Sequence, residues 1–265
     1  MHRPAFAEFT RLADGSGPRD AGMTLFYSYH LNGRAYYLTD RLAKAFCENA
    51  VVDEKDARQL FDHALGLSAL HSLTSTGISP PDALTERVDK AMSTINFSTL
   101  FHLDQLDKDE FLCDAIFWQF VFARAHLTGL DPFKVAITIR LKQRRQEGYP
   151  CLTGDAWRWQ ARLVISILYS QCKWGSDQYS LCEKACKREI EFILENMSTA
   201  IKRNEANLVG QFIHCLVLLE HCRIPFENEA KQLLQEHVIV EDESFYEQCH
   251  GAWCKVVGLK SDCEP

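Results

Sequence analysis

No long unbroken apolar run is present in this chain. Met1 to Phe9 has no apolar core behind its basic residues, and the most apolar stretch, Phe111 to Ala125, is interrupted by Asp114, Gln119 and Arg124. At about 1.5 Å per residue that stretch would be roughly 22 Å long, short of the hydrocarbon thickness of a bilayer. Neither a secretory signal nor a membrane span is expected. Positive charge is also in deficit: the formal net charge is −7 and the isoelectric point is near 5.8. Nucleic-acid binding needs concentrated cations, so a polyanion is not the expected principal partner. The one basic cluster, Arg140, Lys142, Arg144 and Arg145, is placed on an outer helix, where it is either a solvated face or a site for an acidic partner.

The motifs of the common enzyme classes are missing as well. There is no phosphate-binding glycine loop, dinucleotide fingerprint, nucleophile elbow or His-Glu-x-x-His pattern. Paired Asp-rich motifs of metal-diphosphate chemistry are absent, and Asp104 to Glu110 reads as an acidic loop. Cysteine is abundant, with eleven residues, an odd number mostly inside apolar helical patterns. They are expected to be reduced, buried thiols in a cytoplasmic protein.

What the sequence does have is 46% hydrophobic residues and a recurring helical pattern. Residues 1–22 end in the turn-rich Asp14-Gly-Ser-Gly-Pro18 and read as a flexible tail. Residues 23–52 form an N-terminal cap, either a β-hairpin about Asn32-Gly33 or helical turns leading into Asp40 to Phe46. From 53 to 265 an apolar helix, a turn and a charged amphipathic helix recur. The pairs are Asp56–Leu73 with Asp82–Ile95, Phe111–Leu127 with Phe133–Gln146, Asp155–Lys173 with Gln178–Met197, and Glu205–Cys222 with Glu227–His237. Ser244–Val257 closes the series alone. The expected fold class is therefore all-α, built of repeated helical hairpins, either closed into an α/α toroid or open as an α-solenoid. Phe111–Ala125, apolar on nearly every face, is expected at its centre.

This alternation, and the closing Phe245-Tyr246-Glu-Gln-Cys249-His250-Gly251-Ala-Trp253-Cys254 segment, resemble α/α toroids such as protein prenyltransferase β subunits and lanthionine cyclases. Cys249-His250-Gly251 resembles the zinc segment of the cyclases, although their Trp-Cys-Tyr-Gly and Gly-x-Ala-Gly elements are not found here. The resemblance implies an apolar central cavity and, at His250 and Cys254, a place for zinc. His250 and Cys254 share a helical face, and His214, Cys215 or Asp114 would supply a third ligand. Set against that is the reading of buried small thiols and a hydrogen-bonded histidine, on which no cofactor and no metal are expected, with zinc as the alternative.

Aligned on their turns, Asp62, Asp114, Gln160 and Glu243 fall in or near the first turn of successive apolar helices. In a toroid these would converge on one mouth, where desolvated acids serve as general acid or base. Acids also favour any first helical turn through the helix dipole. Asp114 stands out because it sits in the most apolar helix, one turn before Phe117 and Trp118. The functional expectation is a cavity that binds a small or peptidic ligand. Asp114 and His250 would be its acid/base pair, for cyclisation, rearrangement or hydrolysis without a redox cofactor. Asp62, Gln160, Glu243, Tyr246, Trp157 and Trp118 would line it. The alternative is a non-enzymatic scaffold that binds a protein partner.

Overall fold

The computed structural model describes residues 3–17, 20–31, 36–49, 56–73, 80–128, 131–172, 186–219, 221, 223–239 and 244–259. Thirteen α-helices and a short 3-10 turn make up the ordered elements among them, and no strand occurs there. No helix among the described residues is long and apolar enough to cross a membrane. The chain separates into two compact units, one formed by residues 16–148 and the other by residues 1–15 together with 149–265.

The 16–148 unit contains α2 (Ala21–Tyr29), α3 (Tyr36–Asn49), α4 (Ala57–Ser72), α5 (Asp82–Met92), α6 (Phe97–Leu100), the 3-10 turn Leu103–Gln105, α7 (Asp109–Arg124) and α8 (Asp131–Glu147). Its centre is made by α2 and α4 together: every residue from Gly22 to Ser28 and from Asp62 to Leu70 is buried. This corrects two expectations. The segment proposed as a β-hairpin is helical on both sides of Asn32-Gly33, which itself lies outside the described residues. Aromatic residues about Asn32-Gly33 suggested the hairpin, but α2 is closely packed by α3 and α4, and the helical alternative is the one found. Phe111–Ala125 is not the buried centre either: α7 keeps a wetter stripe through Asp114, Phe117 and Trp118.

Aromatic rings bind the outer elements of this unit to α4 and α7. Phe61 meets Trp118 at 4.5 Å between centroids, Phe101 meets Phe133 at 4.9 Å, and Phe97 meets Phe122 at 5.5 Å. Each such pair contributes about 0.5–1.5 kcal/mol beyond the burial of its area. Helix α7 ends at His126, which adopts a left-handed φ of 56°, while the Leu127 N–H donates back to the Phe122 carbonyl at 3.1 Å. That is the Schellman geometry expected at a glycine, here made by a histidine.

The other unit contains α1 (Arg3–Asp14), α9 (Gly154–Gln171), α10 (Lys187–Lys202), α11 (Ala206–Leu218), α12 (Glu227–Glu236) and α13 (Phe245–Leu259). Its centre is α11, buried without a break from Leu208 to Leu216. The stretch read as a tail carries α1, whose Ala5, Phe9, Leu12 and Ala13 are buried at helical spacing against α13. The Asp14 to Pro18 turn drew attention away from that stripe, which spans only two turns.

Candidate functional site

Asp62 is the buried carboxylate of the 16–148 unit. It lies on α4 at 6% relative exposure, and its two oxygens accept the backbone N–H groups of Gly22 (2.9 Å) and Met23 (2.8 Å). These are donors of the first turn of α2, which has no side-chain cap of its own. Asp62 therefore caps α2 from a neighbouring helix. Gly22 makes the approach feasible, because a β-carbon there would run into the Asp62 backbone carbonyl and sit 2.8 Å from Oδ2. Burial raises the Asp62 pKa to about 7; the two N–H bonds and Arg58 oppose that rise, and Asp20 adds to it. The carboxylate is occupied in holding two helices together.

In the other unit, a polar seam runs between α11 and α13. The Gln211 amide donates to His250 Nε2 at 2.8 Å and to Cys254 Sγ at 3.2 Å, and His250 Nε2 lies 3.5 Å from Cys254 Sγ. The helices come this close because Gly210 faces the Cys254 carbonyl and Gly258 faces Gly210. Burial, with Arg162 adding to it, lowers the His250 pKa to about 4, and burial pushes the Cys254 thiol up to about 12. Neutral His250 accepts at Nε2 the hydrogen bond from Gln211. A base so weak, with its lone pair engaged, is poorly suited to proton abstraction at neutral pH. Deeper in the unit, Tyr169 Oη lies 3.0 Å from His214 Nδ1, and burial drives Tyr169 and Cys215 well above their ordinary values.

The remaining residues singled out in the sequence are spread over both units. Asp114 is exposed on α7, which corrects the expectation of a buried carboxylate: it falls on the wet stripe of a helix whose other faces are packed. It belongs to the 16–148 unit and His250 to the other, so neither unit by itself holds the proposed acid/base pair. Trp118 packs on Phe61, Phe117 and Phe122. Trp157 is buried, donates from Nε1 to Asn196 at 2.7 Å and lies under the Arg203 guanidinium. Gln160 is fully buried on α9. Glu243 and the Tyr246 side chain lie outside the described residues. Among the described residues no three His, Cys, Asp or Glu side chains are grouped to hold a metal ion. The third group beside His250 and Cys254 is instead the Gln211 amide.

The least absorbed feature of the 16–148 unit is the outer face of α8. Phe133 and Ile137 are buried on its inner face. Two arginines also anchor that face. Arg144 meets Asp109 at 2.8 Å and Arg140 donates to the Leu106 carbonyl at 3.1 Å. On the opposite side Val135 and Ile139, one turn apart, are 57% and 55% exposed. Exposed Thr138, Lys142 and Gln146 continue the same side. The sequence carried a signal for this second stripe, because α8 has more apolar positions than one packed face can use. Comparison with family models, with curated proteins and with solved structures finds no match to this chain.

Proposed function

We propose that this protein is a helical scaffold that binds a protein partner through the outer face of α8. The observation that carries this reading is the Val135–Ile139 ridge, two β-branched residues more than half exposed on an edge helix. Exposed Val and Ile in a helix interior lower helix propensity by a few tenths of a kcal/mol each relative to Ala, and here less than half of each residue is buried to offset that loss. Association with a partner would. The acid/base reading in an apolar cavity has less support, since Asp62 and His250 are engaged in joining helices and Asp114 faces outward.

The test is affinity capture from the protein's own source cells, with the wild-type chain beside a Val135→Asp, Ile139→Asp double variant. Both positions are exposed, so the variant should keep the wild-type circular dichroism. A protein retained by the wild type in stoichiometric yield and lost with the variant is the expected result. Identical retained sets from the two baits would overturn the assignment to α8. No stoichiometric protein from the wild type would overturn the scaffold reading.

A further inference from the structure

Resting on the scaffold reading, we infer that the segment received by α8 is an acidic amphipathic helix of another protein. The shape of the ridge points to a helix. Val135, Ile139, Lys142 and Gln146 are spaced i, i+4, i+7 and i+11, so they form one row along α8, with Thr138 beside the two apolar members. A row of this spacing is what a second helix packs its own row against, at about 8–10 Å between axes. No strand edge exists in the described part of this unit to receive an extended peptide, so strand addition has no acceptor there.

The charge of the occupant follows from α8 itself. Between 132 and 146 the helix carries Lys134, Arg140, Lys142, Arg144 and Arg145 and no acid. Arg140 and Arg144 turn inward, to the Leu106 and Asp107 carbonyls and to the carboxylates of Glu147 and Asp109. Lys142 is exposed on the apolar row, and Arg145 and Lys134 flank it half-buried. A basic partner would meet the exposed Lys142 beside the ridge as like charge. An acidic helix finds a cation one turn beyond the ridge. These rim charges govern encounter and specificity, and the apolar row supplies the adhesion.

An unbiased phage library of helical peptides about five turns long, panned against the full chain, tests this. The enriched sequences are expected to repeat apolar residues at i, i+3 or i+4 and i+7 and to carry a surplus of Asp and Glu. Their affinity should fall more than about tenfold for Val135→Asp with Ile139→Asp, and should also fall with added salt. Lys142→Glu with Arg145→Glu should weaken the acidic peptides and favour basic ones of the same apolar spacing. Enriched peptides that are neutral or basic would overturn the inference. Peptides that bind the Val135→Asp, Ile139→Asp variant unchanged would also overturn it, while leaving a scaffold with a different surface. A wild-type dimer in light scattering, lost in that variant, would assign the ridge to a second copy and overturn the partner named here. Failure of any helical peptide to enrich would overturn it as well, and the capture experiment above then decides the scaffold reading independently.

Discussion

Replacing Gly22 by Ala should destabilise the 16–148 unit, against the usual effect of that change in a helix. An interior Gly→Ala substitution ordinarily stabilises a helix by about 0.5–1 kcal/mol, because Ala has less backbone entropy to lose. At Gly22 the new methyl has nowhere to go, since it would run into the Asp62 backbone carbonyl and lie 2.8 Å from Oδ2. A backbone obstacle cannot rotate away, so α2 must shift off α4. The shift breaks or lengthens the bonds from Gly22 N (2.9 Å) and Met23 N (2.8 Å) to the carboxylate. Hydrogen bonds to a charged group contribute about 1.5–3 kcal/mol each, so the loss is about 3–6 kcal/mol and the net destabilisation about 2–5 kcal/mol after the helix gain. Gly251→Ala in α13 is the matched control. There a β-carbon would meet nothing closer than Asn207 Oδ1 at 3.6 Å, ordinary contact, so the substitution should stabilise by about 0.5–1 kcal/mol. Urea unfolding by circular dichroism above the Asp62 titration measures both, and hydrogen exchange should place the Gly22 effect in α2 and α4. A Gly22→Ala protein as stable as wild type would refute the claim that α2 rests on Asp62.

The two units should respond to pH in opposite directions. Asp62 has a folded pKa of about 7 against an ordinary 3.8, so its contribution to stability is full below 3.8 and is lost as pH rises towards 7. His250 has a folded pKa of about 4 against 6.5, so the unfolded chain takes up the proton first and stability falls as pH drops from 6.5 to 4. Urea titrations across that range on Asp62→Asn and His250→Asn should each lose one of the two slopes, and an unchanged profile in either would reject that assignment. Site-resolved iodoacetamide labelling of the native protein should modify the exposed Cys151 first, with Cys172, Cys215 and Cys254 reacting only on unfolding. Early labelling of Cys254 would show an open seam between α11 and α13. Asp114→Asn should change stability by less than about 0.5 kcal/mol, because the carboxylate is exposed, and a loss of several kcal/mol would show it buried.

The helical class and most helix pairs follow from the sequence alone, because an apolar stripe at a period of 3.6 residues has few other uses. The α4/α5, α7/α8 and α11/α12 pairs stand close to where the periodicity and turn residues put them. The predicted Gln178–Met197 helix has its first eight residues outside the described part, and α10 accounts for the remainder. What periodicity could not rank was centrality. α2 is only nine residues long, yet with α4 it makes the centre of its unit, while the longer α7 keeps a wet stripe. Burial all round depends on what packs against a helix, and that is decided by neighbours distant in the chain.

The same distinction separates the polar residues. Local spacing could place Asp62 and Asp114 in early turns of successive helices, but it could not say which carboxylate would find a partner. Asp62 meets the start of α2, thirty-nine and forty residues away in sequence, through a glycine whose only local signature was a turn-like context. His250 and Cys254 share a face because helical geometry requires it, a fact readable from their spacing. That the third group between them is the Gln211 amide comes from the crossing of α11 and α13 at Gly210 and Gly258. The sequence by itself determined that helices would form and which stripes were apolar, since those are local properties. Tertiary structure alone decided which polar groups were consumed in joining helices and which apolar ridge, Val135 and Ile139, was left facing outward.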